Sequence, residues 1–439
     1  MRRPAAAAGG AAVMIAAGLA AVAPAQAALP AGELAALCEE LWGDIAPTGE
    51  PLAGCQWDME QVRATTDEAH TLATGTGVRV GVIDSGVDPT HADIAANLDL
   101  AASCSFIFDD TPTADPQEVA NGDCTNKAAV MDLGGHGTHV ASTIAAPVNG
   151  IGIAGVAPEA TIVAIKACTI EGFCFADSVA AALRYAGDLR LDVVNLSLFA
   201  DPYLYYCGND AEQRALLRDL SAAARYAQQR GVLVVAAAGN ESTDLAHPGT
   251  DTVSPDWPPD SAVERVVGNN CRVAPAELPG VLTVSATGPE TLASYSTVGM
   301  GVVDVAAPGG EYFAATGTVQ DAILGAAPNT GPSVIFNDLD PLEQFFPGLT
   351  AVDQGNRYMF INGTSMAAPH AAGVAALVIQ RHPNWSPGAV AAAVRASATP
   401  MPCPEDYEPA GDIERCYGGP GRTSLFGKGL VDAFAAAQR

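Results

Sequence analysis

VRVGVID, residues 78–84, is the stretch on which the fold turns. Between Arg79 and Asp84 every residue is apolar or glycine, and three are β-branched. The run is too short for a helix, so it predicts a strand buried on both faces. Outward from it the same rhythm repeats. HGTHVASTIAA (136–146) reads as a helix, TIVAIKA (161–167) as a strand and ADSVAAALRYAGD (176–188) as a helix. LDVVNLSL (191–198) is the next strand, AEQRALLRDLSAAARYAQQ (211–229) a longer helix and VLVVAAAGN (232–240) another strand. VLTVSAT and VVDVAAP follow as strands, then a helix from Met366 to about Arg381 and another within SPGAVAAAVRASA. Continuous apolar strands separated by helices predict an α/β fold, a mostly parallel sheet covered on both faces. In such sheets functional residues gather at the carboxyl ends of the strands.

Two stretches break the rhythm, 241–279 and 309–356. Both are rich in Pro, Gly, Asp and Asn, and read as surface loops inserted in one domain. Residues 28–54 form an N-terminal extension, and 55–439 a single domain. The first residues, MRRPAAAAGGAAVMIAAGLAAVAPAQA (1–27), read as an export signal: Arg2 and Arg3, an apolar stretch, and a small-x-small site at Ala25-Gln26-Ala27. The apolar stretch is short and broken by Gly18 and Pro24, which disfavours a membrane anchor. The expectation is a secreted, monomeric protein.

The formal net charge is −28, and loss of the signal, with two arginines and no acids, makes it more negative. Such a surface disfavours nucleic acid and anionic membranes and suits divalent cations. All 10 cysteines follow the signal, and an even count in an exported chain favours disulfides. Sequence order suggests Cys38–Cys55, Cys104–Cys124, Cys168–Cys174 and Cys403–Cys416, leaving Cys207–Cys271. With no Cys-x-x-Cys pair, a structural zinc site is disfavoured.

Three segments carry the parts of a nucleophilic machine, each at a strand end or helix start. VGVIDSG ends a strand at Asp84, GGHGTHVAS opens a helix at His136, and NGTSMAAPH opens another at Ser365. A serine hydroxyl needs a base to take its proton, and a buried carboxylate holds the imidazole in the useful tautomer. Singly, each has a plainer role: Asp84 as a turn cap, Ser365 as a helix N-cap, Asn240 as a loop partner.

Together, VIDSGVDPTHADI, GGHGTHVAST, NGIGIAGVAP, VVNLSL, VVAAAGN and NGTSMAAPHAAGVAAL resemble the subtilases, the subtilisin-like serine proteases. They recur in that family's order over about residues 56–434. The resemblance implies the subtilisin-like three-layer fold and a serine endopeptidase. Asp84 would be the carboxylate, His136 the general base, Ser365 the nucleophile and Asn240 the oxyanion donor. An amide NH2 suits that last task because it donates without losing a proton. The Ser365 N–H, at a helix N-terminus, is the natural second donor. His139, one turn beyond His136, is then structural, and the pair lacks the His-Glu-x-x-His of zinc proteases. His370 reads as a packed histidine.

By the same resemblance a peptide binds as an extra strand between Ser197-Leu198-Phe199 and Glu171-Gly172-Phe173-Cys174, with Ala238 and Gly239 lining the pocket before the cleaved bond. The sequence departs from the family pattern at Phe199, where a glycine commonly follows Ser-Leu. No acid within these segments specifies Arg or Lys, which predicts an apolar or broad preference. NGIGIAGVAP resembles the family's calcium loop, with Asp93, Asn149 and the carbonyls of Ile151 and Ile153 as ligands. Residues 28–54 are too few for the usual prodomain, so folding without an intramolecular chaperone is expected. Two alternatives stand beside the general protease: a processing protease for one exported precursor, and a non-catalytic scaffold that binds through its groove.

Overall fold

A computed structural model describes residues 28–439 except 46, 331–341, 344 and 406–410. The export signal therefore lies outside the described residues. Val78–Asp84 becomes the strand Arg79–Asp84, an interior strand of the sheet: Thr161–Lys166 pairs on one side and Val193–Leu196 on the other, both parallel. The full sheet has 7 strands, in the order Val305–Pro308, Leu282–Thr287, Leu233–Ala237, Val193–Leu196, Arg79–Asp84, Thr161–Lys166 and Cys104–Ser105. Every pairing is parallel.

The pleat sorts the side chains. Val80, Val82, Ile162, Ala164, Val193 and Val235 pack on one face, against the helices His136–Ala145, Thr364–Arg381 and Pro387–Ser397. Ile83, Val163, Ile165, Val194, Leu196 and Val234 pack on the other, against Ala176–Asp188 and Ala211–Gln229. Period-two alternation within uniformly apolar strands feeds both layers, so the three-layer fold follows from the strands themselves. The Ala211–Gln229 helix starts where the Asp210 side chain caps Gln213 N at 2.9 Å, a contact worth about 1 kcal/mol.

All five disulfides take the pairing that sequence order suggested. The two inserts differ from the loops expected. Within 309–356, Ile323–Ala327 and Thr350–Asp353 are strands of a second, 4-stranded sheet with Asn356–Ile361 and Leu29–Pro30. ILGAA escaped the sequence reading because its residues are mostly small. Small residues are required there: a Cβ on Gly325 would lie 2.4 Å from the buried His139 ring. The N-terminal extension is part of this layer. Its helix, Ala31–Trp42, buries Leu34 and Cys38 against Leu324, Tyr358 and Phe360. The 241–279 insert holds short strands, one of which, Cys271–Val273, pairs antiparallel with Tyr205–Cys207.

Candidate active site

Asp84 ends its strand with 2% of its side chain exposed. Its main-chain oxygen accepts from both Ala167 N and Cys168 N, and its Oδ1 accepts from Ser85 N at 2.7 Å. His136 opens its helix and places Nδ1 2.8 Å from the same Oδ1. That contact makes Nδ1 the protonated nitrogen and leaves the Nε2 lone pair free for a proton. The close approach needs Gly137, because a Cβ there would lie 2.1 Å from the Gly86 oxygen. Burial alone would lower the His136 pKa, but the Asp84 charge and hydrogen bond outweigh it and raise it above the ordinary histidine value.

A second carboxylate, which sequence reasoning missed, organises this turn. Asp132 Oδ1 accepts from Ser85 Oγ (2.8 Å) and Gly135 N (2.7 Å), while Oδ2 accepts from Thr138 N (2.8 Å) and Thr138 Oγ1 (2.7 Å). Ser85 Oγ in turn accepts from Gly137 N at 2.9 Å. The loop before His136 is thus tied at both ends to the strand end that carries Asp84. Beneath it lies Lys166, fully buried. Its Nζ donates to Ser85 O at 2.6 Å and Met131 O at 2.9 Å, and pairs with buried Glu118 at 2.8 Å. Glu118 Oε2 also accepts Ile170 N at 3.1 Å, joining the turn to the segment before Glu171.

Ser365 is the second residue of the Thr364–Arg381 helix, which contains Pro369. Proline has no N–H, so the Ser365 carbonyl loses its partner four residues on. Ser197 Oγ takes that role at 2.7 Å and is itself held by Asn195 Nδ2 at 2.8 Å. The Ser365 hydroxyl donates to the Ser197 carbonyl at 3.2 Å, and no hydrogen bond joins it to His136 among the described residues. Asn240 Oδ1 accepts from Thr364 N and Thr364 Oγ1, each at 2.9 Å. The amide is thereby oriented with its NH2 toward the Gly363 face. Measured from the point a Gly363 Cβ would occupy, Asn240 Nδ2 and Ser365 N are each 3.6 Å away and Ser365 Cβ 3.7 Å. Two N–H donors and the serine therefore meet at one small cleft, the arrangement needed to hold an oxyanion beside a nucleophile.

His139 is fully buried, bonds Ile323 O at 3.1 Å, and is pushed down to about 3 by burial, so it is neutral and structural. His370 is also buried and bridges Met366 O (2.7 Å) and Asp58 Oδ2 (2.9 Å). Along the groove segments, Gly172 takes φ 93° in a turn closed by Thr169 N to Phe173 O (2.9 Å) and by the Cys168–Cys174 disulfide. Leu198 is half-buried against the Ala176–Asp188 side of the core. Phe199 packs against a cluster that holds Leu204, Tyr205, Leu245 and Val273, which ties it to the 241–279 insert. Ala238 is fully buried, with its N–H on Val284 O at 3.0 Å. Next to it, a Cβ on Gly239 would sit 2.5 Å from Glu241 Oε2. An acid therefore borders the pocket segment after all, and burial raises its pKa. The signal was present as the residue after VVAAAGN.

The structure gathers part of the expected calcium set. Asn149 Nδ2 donates to Asp93 Oδ1 at 3.0 Å, and Asp93 Oδ2 accepts from Tyr358 OH (2.7 Å) and Ile153 N (3.2 Å). Asn149 Oδ1 is taken by Ile151 N at 2.8 Å. The extension adds Glu50, 6% exposed, whose Oε2 is buried without a partner beside this loop. Asp353 accepts Gly152 N at 2.8 Å. Among the described residues no three acidic, His or Cys side chains are grouped to hold a metal, so carbonyl oxygens would complete any shell. A buried carboxylate oxygen without a hydrogen-bond partner is the feature of this loop that fits a hard divalent cation.

Comparison with known proteins bears on most of the chain. Residues 75–429 match the model of the Subtilase family. M-protease of Shouchella clausii (strain KSM-K16) is 31% identical over 87% of this chain and 70% of its own length. Subtilisin BL of Lederbergia lenta is 30% identical over 87% of this chain and 98% of its own. A solved lanthipeptide protease shares the fold, with TM-score 0.63 and 24% identity over 94% of this chain and 98% of that one.

Proposed function

The chain belongs to the subtilase family and is a serine endopeptidase, and from that premise we propose that Asp84, His136, Ser365 and Asn240 carry its chemistry. Ser365 Oγ leaves the Ser197 carbonyl and attacks the peptide carbonyl carbon as its proton passes to His136 Nε2. Asp84 holds Nδ1–H and stabilises the imidazolium. The oxyanion forms in the cleft beside Gly363, where Asn240 Nδ2 and the Ser365 N–H donate to it. His136 then protonates the departing amine, the C–N bond breaks, and an acyl-enzyme remains. Water, deprotonated by His136, adds to the acyl carbon and frees Ser365. The supporting observation is the convergence of both donors and the serine at Gly363, with Asp84 and His136 already joined.

Residues 197–199 and 171–174 serve as the edges between which the peptide lies, and Ala238 and Gly239 border the pocket before the cleaved bond. The carboxyl of Glu241 beside Gly239 adds a polar border to a pocket otherwise small and apolar. Calcium, held by Glu50 and Asp93 with the carbonyls of Ile151 and Ile153, would brace the extension against the catalytic layer and take no part in the reaction. The 1–27 segment directs the chain out of the cell. Among the described residues no helix is long and apolar enough to cross a membrane.

Covalent labelling with a fluorophosphonate probe tests the chemistry. Labelled wild type and unlabelled, folded Ser365→Ala is the expected result. A folded wild type that stays unlabelled, with or without calcium, would favour the non-catalytic scaffold. Because the 241–279 insert leans on Phe199 at the groove edge, a processing protease is the second reading. Rapid degradation of unfolded casein would count against it.

A further inference from the structure

The 241–279 insert meets the groove edge through two acids that have no reason to touch if both are ionised. Asp201 pairs with the edge itself. Its N–H donates to Cys174 O at 2.9 Å, its main-chain oxygen accepts Ala176 N at 3.0 Å, and its Oδ2 accepts Cys174 N. Asp201 is 4% exposed. From the insert, Asp256 is anchored by its N–H on Pro202 O at 3.1 Å and turns its carboxyl to that of Asp201. Asp256 Oδ1 is buried, and no N–H or hydroxyl donor reaches it. The next residue, Trp257, lays its ring edge-on to Phe173, centroids 5.5 Å apart at 70°, and Phe173 stacks on Phe175 at 5.9 Å.

We propose that Asp256 and Asp201 share one proton, and that this bond seats Trp257 on Phe173 as a wall of the substrate groove that loosens when the proton leaves. A carboxyl–carboxylate bond satisfies the orphaned oxygen with the one donor available, a proton of its own, whereas two buried carboxylates in contact repel. Other titratable and charged groups facing the pair do not replace that proton. Asp251 is already paired with Arg265 at 2.7 Å, and the Tyr206 O–H donates to the main-chain oxygens of Ala200 and Asp201. Tyr203 lies edge-on to Tyr206. Burial, then the partner acid, raises Asp201 well above the usual carboxyl range, and burial raises Asp256. Both shifts have one sign: the contact is fully formed below the ordinary aspartate pKa and is lost as pH rises through the folded value.

The wall rests on the reading of residues 171–174 as a groove edge, and the test separates the two. Hydrogen exchange of the 250–264 segment is followed from about pH 4 to 8 and corrected for intrinsic rates, in wild type and in Asp256→Asn. The amide donates to Asp201 at any pH, so the variant should stay protected throughout while wild type loses protection across one ionisation. Asp256→Ala should be unprotected at every pH. In parallel, KM for peptides extended on the acyl side should rise about fivefold over that range in wild type, and stay level in Asp256→Asn. One-residue substrates should show no such change. Protection in wild type that is flat with pH, or identical in Asp256→Asn, overturns the shared proton. Exchange that opens while KM of the long peptide stays level overturns the wall and the groove-edge assignment, leaving the Ser365 labelling result unaffected.

Discussion

Asp84 and His136 differ in what their neighbours make of them, and two outcomes follow at the residue scale. The Asp84 charge keeps the His136 pKa above the ordinary value. Catalysis needs the neutral imidazole, so kcat/KM should rise with pH through that raised pKa and fall away on its acid side. Asp84→Asn removes the charge and the preferred tautomer. It should move the acid limb to lower pH and cut kcat on the order of 10^4-fold, measurable with a chromogenic peptide. Asn240 acts differently, because its Oδ1 is already committed to Thr364 and only its NH2 faces the cleft. Asn240→Leu should reduce kcat about 10^2–10^3-fold, near 3–4 kcal/mol of transition-state stabilisation, with KM almost unmoved. A KM effect as large as the kcat effect would place Asn240 in ground-state binding instead.

At the scale of elements, the strand ends are held by side chains from distant segments. The Arg79–Asp84 and Thr161–Lys166 strands finish side by side, with Asp84 opposite Lys166. Lys166 then ties the residue after Asp84 to the start of the turn before His136 and meets Glu118 where neither is exposed. Removing one member of a buried pair strands the other, at a cost of about 3–5 kcal/mol. Glu118→Ala should therefore lower the urea midpoint by that equivalent, with m unchanged, while an exposed control such as Glu171→Ala changes it little. Gly325 belongs to the same scale. Its Ala variant pushes a methyl into the His139 ring and should destabilise by about 1–3 kcal/mol.

Across the whole molecule, the N-terminal extension is built into the fold. It supplies an edge strand, a helix on the second sheet, the Cys38–Cys55 bridge and the buried Glu50 carboxylate. If calcium sits at that junction, saturating calcium should raise stability by RT ln(1 + [L]/Kd), about 2.7 kcal/mol at 100 times Kd. Melting with calcium and with chelator should then differ in wild type, and the difference should vanish in Glu50→Gln. Equal melting temperatures in wild type would remove calcium from this loop. The formal charge of −28 favours such a cation in general but selects no site; the unpartnered Glu50 oxygen beside the 149–153 loop is what points here.

What the amino-acid sequence determined by itself was the periodic framework and the family, with candidates for the chemistry at the framework's ends. VRVGVID, TIVAIKA and VLVVAAAGN announce buried parallel strands because their apolar runs leave no face for water. Asp84, His136, Asn240 and Ser365 stood out as candidates because each lies at a strand end or a helix start, within two residues of a glycine. The disulfide pairing was legible for a similar reason, since most partners are near neighbours in the chain. What only the tertiary structure decided are contacts between segments far apart in sequence. ILGAA becomes a strand because it pairs with Asn356–Ile361, and Gly325 leaves room there for the His139 ring. Asp132, Lys166 and Glu118 matter through bonds to one turn, and Phe199 packs half-buried against a cluster that the insert shares. Asp201 meets Asp256 across 55 residues, in burial that no local pattern encodes. Local periodicity reports which residues leave water; which polar groups meet there depends on how the layers close.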